Sequence, residues 1–254
     1  MSNVLVPTDF STYTDLATSY GIELANILGT GLTLFHAHIT DNKEELQEKL
    51  NKEAEAASAK VEQVNQVIKK GPVLVQLTQL LSEENFSGIV MVTREEDKLD
   101  LTLGSMTVEI ANKVKLPVLI IPEDCQHGEI SKLAVIADFL KPKKDIPALK
   151  YLQLLGEKAV KEMHWYKPEL EKQDSKEDET LDALMKELSL DSPQSVPADN
   201  QGTILENIKQ LQDKEQFDAF FLPASQTLFI NMFPGNLGKK IAMMTGKPVF
   251  IHNV

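Results

Sequence analysis

Val4-Leu5-Val6-Pro7-Thr8-Asp9-Phe10 is an apolar triplet halted by proline and followed by a turn-forming Thr-Asp pair. A run this short and bounded this way reads as a buried strand, not a helix. Beyond it the apolar spacing turns helical over residues 16–28 and stops at Gly29, a residue type that ends helices. Residues 32–35 read as a second strand, and residues 41 to about 60, rich in Glu, Lys and Ala, as an exposed helix. A weak edge strand is expected over 61–68, a helix over 73–81, a buried strand over 89–92, a helix over 104–114 and a fifth strand over 117–121. Continuously apolar strands alternating with helices predict a parallel sheet covered on both faces. Right-handed crossovers then make that sheet doubly wound.

The plan is written twice. Val6-Pro7-Thr8-Asp9-Phe10 is echoed by Val135-Ile136-Ala137-Asp138-Phe139. Further on, Gly71 recurs as Gly202, Phe86 as Phe217, Gly104 as Gly235, Ile110-Ala111 as Ile241-Ala242 and Pro117-Val118 as Pro248-Val249, all in one constant register. Self-similarity held over so long a stretch marks a repeat. The expected architecture is therefore α/β, with two tandem doubly wound parallel five-stranded sheets. The units are expected at 1–124 and 131–254, joined through PEDCQHGEIS at 122–131, with the second copy degenerate. Residues 167–180 are almost devoid of aliphatic side chains and read as a solvated loop or helix face.

Composition narrows the class of partner. With 26 basic against 38 acidic residues, a formal net charge of −12, neither a nucleic-acid backbone nor an anionic membrane surface is an expected partner. No run approaches the roughly 20 apolar residues of a membrane helix. The opening MSNVLVPTDF lacks a basic region and a long apolar stretch, so no signal peptide is expected. The single cysteine, Cys125, cannot form an internal disulfide and reads as a structural thiol in a reducing compartment. Together these point to the cytoplasm.

In its framework the chain resembles the universal stress protein family. Val4 through Ser11 is similar to that family's first strand and loop, and Leu32-Thr33-Leu34-Phe35-His36 to its second strand. Gly104-Ser105 followed by Leu116-Pro117-Val118-Leu119-Ile120-Ile121-Pro122 is similar to its closing segment. The resemblance covers residues 1–122 and, more weakly, 131–254. It implies a fold of the adenine nucleotide alpha hydrolase-like, universal stress protein type. It also implies a division into members that bind ATP through Gly-x2-Gly-x9-Gly-Ser/Thr and members that do not. In that pattern the glycines let backbone N–H groups approach phosphates at a helix N-terminus.

Here only Gly104-Ser105 survives. Counting back by the family spacing puts the earlier glycine positions on Arg94 and Met91; counting forward from the strand puts them on Val92 and Glu95. The loop Arg94-Glu95-Glu96-Asp97-Lys98-Leu99-Asp100 carries four acids against two bases, reads as a solvated acidic turn and would repel a triphosphate unless a metal intervened. ATP is thus disfavoured as a cofactor, and none is assigned. The resemblance makes Asp9 the contact to a nucleoside, so a residual ligand site would use Thr8, Asp9, Val92, Gly104 and Ser105. Asp9 equally suits a turn or helix start. In the second copy Gly235 precedes Asn236, and the glycine positions fall on Ser225 and Leu222 or on Gln226 and Pro223. The loop between holds Leu228, Phe229, Ile230, Met232 and Phe233, which suits either packing or a partner surface. Lys239 and Lys240 nearby are compatible with an anion.

No catalytic constellation is found: there is no Gly-x-Ser-x-Gly, no His-Glu-x-x-His, no Walker A and no Gly-x-Gly-x-x-Gly. His36 and His38 share a strand face but lack a third metal ligand. His164 falls near the equivalent strand of the second copy, with His127 in the linker and His252 near the C-terminus. The expected function is binding or signalling, not enzymatic, with an unidentified protein partner. The alternatives are a nucleotide switch or slow ATPase using Thr8, Asp9, Gly104 and Ser105, and a scaffold docking through 228–233. In this family the closing strands of two protomers pair. Residues 118–121 and 249–252 would then join the two copies as a pseudo-dimer within one chain.

Overall fold

The computed structural model describes residues 2–40, 42–94, 106–137, 142–168, 183, 185–186, 194–196, 204–224 and 234–253. In the first half, β1 (Asn3–Pro7), α1 (Thr12–Leu28), β2 (Leu32–His38), α2 (Lys43–Ser58), β3 (Val64–Lys70), α3 (Val73–Glu83), β4 (Phe86–Thr93), α4 (Met106–Lys113) and β5 (Pro117–Pro122) alternate strand and helix. The second half comprises β6 (Lys132–Ile136), α5 (Pro142–Lys158), β7 (Glu162–Pro168), β8 (Gln194–Val196), α6 (Ile204–Glu215), β9 (Ala219–Ala224), α7 (Pro234–Thr245) and β10 (Val249–Asn253).

Val4, Leu5 and Val6 are all fully buried, because helices cover both faces of the sheet. One face packs Val4, Val6, Leu34, Leu119 and Phe250 against α1, α2 and α5. The other packs Leu5, Ile89, Val118 and Ile251 against α3, α4, α6 and α7. A strand buried on both sides cannot alternate apolar with polar, and this accounts for its continuous apolar run. The helices show the complementary pattern: α2 buries Leu50, Ala54 and Ala57 along one stripe and leaves Glu44, Glu48, Lys49, Lys52 and Glu55 exposed.

The strands run β3-β2-β1-β4-β5-β10-β9-β6-β7-β8 in one ten-stranded sheet. Each half thus has the same internal order, and the two five-stranded units are fused edge to edge. All neighbours are parallel except β5 and β10, which are antiparallel. At that seam Leu119 faces Phe250 and Val118 faces Ile251. Leu119 and Phe250 are the same position in the two copies, so a local two-fold axis passes beside them. Asn253 tightens the seam by donating its Nδ2–H groups to the carbonyls of Ala111 and Val114. It thereby caps the C-terminal end of α4 from the opposite half, where the last carbonyls of a helix lack partners.

The linker is fastened to α1. Tyr20 donates its hydroxyl to the Gln126 carbonyl at 3.4 Å, and Glu23 lies 3.2 Å from His127 Nε2. The β3 edge strand begins at Val64 and not, as the apolar pattern suggests, at Val61. Val61 N–H still bonds the Ala57 carbonyl, and its buried side chain belongs to the end of α2. The helix expected from Gly104 is described from Met106; Gly104 and Ser105 lie outside the described residues.

Candidate functional site

In a doubly wound sheet the strand order reverses between the first strand and its later neighbour, and a crevice opens at the carboxyl ends of those strands. Here that point lies between β1 and β4. A cavity of about 300 Å³ opens there, lined at its base by Phe35, Ala37 and Met91 and at its rim by Tyr13, Val73 and Met106. Three helices, α1, α3 and α4, begin around it.

The loop leaving β1 is locked by two overlapping side-chain turns. Phe10 N–H donates to Thr8 Oγ1 at 3.1 Å, and Ser11 N–H donates to Asp9 Oδ1 at 3.0 Å. Short polar side chains that bond the backbone two residues on favour such turns. They hold Phe10 at φ 60°, a left-handed conformation costly for a bulky residue. Its ring lies against His36, with centroids 4.3 Å apart. His36 in turn places Nδ1 2.8 Å from the Thr8 carbonyl oxygen, tying β2 to the β1 loop.

Asp9 is the electrostatic centre of the rim. Oδ1 also accepts the Thr14 hydroxyl at 2.8 Å, and Oδ2 accepts Arg94 Nη2 at 2.8 Å. Partial burial acts to raise the Asp9 pKa. The hydrogen bonds from Ser11, Thr14 and Arg94 outweigh it and bring the group down to about 2. Arg94 also reaches Ser11 Oγ at 3.2 Å and lies over the Tyr13 ring, 4.8 Å from its centroid. Thr8 Oγ1 donates to Glu53 Oε1 at 3.1 Å. Burial raises the Glu53 pKa; the Thr8 bond opposes this, while Asp15 and Asp9 add to it. The Val92 carbonyl accepts the Thr107 hydroxyl at 3.2 Å.

Thr8, Asp9 and Val92 therefore meet at one cavity, whereas Gly104 and Ser105 lie outside the described residues. So do Glu95 to Asp100, Asp138, Ser225, Gln226 and the apolar loop 228–233. The sequence reading did not foresee Arg94 as the partner of Asp9, or Tyr13, Thr14 and Thr107 as site residues. Arg94 drew notice only as a lost glycine, and no local pattern links it to a carboxylate 85 positions earlier. His36 and His38 turn their Nδ1 atoms to the backbone carbonyl oxygens of Thr8 and Thr40, at 2.8 Å and 2.7 Å, and their parallel rings stand with centroids 6.3 Å apart. Among the described residues no three His, Cys, Asp or Glu side chains are grouped to hold a metal. Nor is any helix there long and apolar enough to cross a membrane.

The arrangement defines a doubly wound α/β protein with a cleft at its topological switch point. Residues 37–122 match the family model described as the universal stress protein family. The whole chain shares its fold with a universal stress protein from Archaeoglobus fulgidus DSM 4304, at a TM-score of 0.71 and 18% identity over 100% of this chain and 97% of that one. A protein of unknown function from Pseudomonas aeruginosa PAO1 aligns at a TM-score of 0.65 and 12% identity, covering 100% and 92% of the two chains. The cytoplasmic domain of a prokaryotic cation chloride cotransporter aligns at 0.57 and 14% identity, covering 98% and 94%. No curated protein matches the sequence significantly. Neither the family match nor these folds indicate a catalytic activity.

Proposed function

We propose that this chain is a regulatory binding protein of the universal stress type that does not hold ATP in the manner of the family's ATP-binding members. Its ligand site is the first-half cavity bordered by Thr8, Asp9 and Val92, and it acts in the cytoplasm. One observation carries this reading. The Asp9 carboxylate is already engaged by Ser11, Thr14 and Arg94, and Arg94 stands where one count of the family spacing calls for glycine. A glycine there lets backbone approach a phosphate; a guanidinium in ion-pair contact fills the same approach with a side chain. A cavity of about 300 Å³ also falls at the small end of ligand sites.

Calorimetric titration of the full chain with ATP and Mg²⁺ is the direct test. The expected result is no binding in the micromolar range. Micromolar binding that perturbs Asp9 and Arg94 would sink the proposal.

A second reading is a nucleotide-responsive switch in which Arg94 leaves Asp9 for a ligand. It is favoured by the exposure of both side chains, 37% and 58%, which makes the pair easy to break. Purified protein would then release adenine nucleotide on denaturation, visible by absorbance. In either case the antiparallel seam between β5 and β10 serves as the pseudo-dimer contact within the chain.

A further inference from the structure

We infer that the first-half cavity selects an uncharged small molecule with an apolar ring and a hydrogen-bond donor, and that His36 is the acceptor for that donor. The inference rests on the cavity being the ligand site and adds the chemistry of what enters it.

His36 lines the cavity and is only 8% exposed. Its Nδ1 faces the Thr8 carbonyl oxygen at 2.8 Å, and a carbonyl only accepts, so Nδ1 carries the proton. In the neutral ring Nε2 is then a pure acceptor. Nε2 has no hydrogen-bond partner among the described residues, and Phe10 against the ring face keeps the imidazole from turning away. A ligand inside the cavity that carries a donor would give this acceptor a partner.

Charge at the rim decides what kind of donor fits. Asp9 and Arg94 cancel as a pair 2.8 Å apart. An anionic ligand would meet the ionised Asp9, and a cationic one would compete with Arg94, so neither gains net Coulomb energy. The hydroxyls of Thr8, Ser11, Thr14 and Thr107 in the lining are already bonded within the protein, and most of the other lining residues are apolar. Tyr13, Val73 and Met106, each 36–38% exposed, surround the mouth, and Met91 and Phe35 line the base. Burying that surface stabilises an apolar ring by about 25 cal/mol per Å². The volume suits a single ring with its substituents.

The test uses four one-ring probes on the full chain: phenol, anisole, benzoate and benzylamine. Binding is followed by long-range ¹H–¹⁵N spectra of the histidine side chains. Phenol is expected to shift the His36 Nε2 resonance and to bind roughly fivefold to tenfold more tightly than anisole, which lacks the donor. His36→Leu is expected to abolish that difference. The wild-type spectra decide the matter even if this variant does not fold. Equal binding of phenol and anisole, tighter binding of benzoate or benzylamine, or a protonated Nε2 in the free protein would overturn the inference. Such a result with ATP still excluded removes the ligand class alone. Micromolar ATP binding removes the functional reading, whatever phenol does.

Discussion

Arg94 on the end of β4 places Nη2 2.8 Å from Oδ2 of Asp9, in the loop after β1. The pair spans the switch point of the sheet and links the strand ends between which a ligand must enter. Replacing Arg94 by Ala removes one of the contacts that hold the Asp9 carboxylate down, while those from Ser11 and Thr14 remain. The Asp9 midpoint, about 2 in the native protein, is expected to rise but to stay below its ordinary 3.8. Carboxyl ¹³C titration reads it directly. Because the folded pKa lies below the unfolded one, the contribution of Asp9 to stability is complete above about pH 4 and is lost toward pH 2. Both side chains are well exposed, so the stability change from Arg94→Ala itself should not exceed about 1 kcal/mol. A larger loss would mean that Arg94 organises the loop.

His252 on β10 is buried, its Nδ1 has no hydrogen-bond partner among the described residues, and burial lowers its pKa to about 4. A histidine held neutral in the folded state takes up a proton on unfolding. Stability is therefore full above the unfolded pKa near 6.5 and falls as pH drops from there toward 4. Urea denaturation across that window should show a decline of up to about 3 kcal/mol. His252→Phe should flatten it, and an unchanged slope would assign the acid sensitivity to other groups.

The seam can be weakened without touching the cavity. Phe250 is 2% exposed and faces Leu119 across the antiparallel join. Phe250→Ala should cost about 3–5 kcal/mol. Asn253→Ala, which frees the α4 carbonyls of Ala111 and Val114, should cost about 1 kcal/mol. Chemical denaturation measures both. If the halves unfold together, each substitution moves a single transition. Two separated transitions in Phe250→Ala would show that the seam carries their coupling.

Gly238 on α7 admits no side chain. A Cβ there would stand 2.2 Å from Ile251 Cδ1 and 2.8 Å from its Cγ1, inside a core where Ile251 is fully buried. Gly238→Ala should destabilise the chain by about 1–3 kcal/mol through overpacking, despite the better helix propensity of alanine. A gain in thermal midpoint would show that Ile251 has room to shift.

Much of this architecture was legible in one dimension. Residues 4–6, 89–92 and 118–121 are apolar without alternation because both faces of their sheet are covered, and that is a property of the chain that any reader of the string can see. The break at Gly29 is equally local: the residue sits at φ 66° beyond α1, where its N–H closes the last turn. Thr8, Asp9 and Val92 stood out only through the family resemblance, which places a nucleoside contact at Asp9 and a lost glycine position at Val92. Arg94 did not declare its role, since an ion pair depends on two strand ends brought side by side and leaves no periodic trace. Thr107 and Tyr13 were invisible for the same reason.

The sequence alone determined the strands, the helices between them and the fact that the pattern occurs twice, because burial on two faces and helical spacing are written residue by residue. The tertiary structure decided that Asp9 is satisfied by Arg94, that His36 turns Nε2 away from the Thr8 carbonyl, and that Asn253 caps a helix in the other half. Each of these is a contact between residues distant in the chain. Its existence depends on loop closure and packing, and short-range patterning does not encode it.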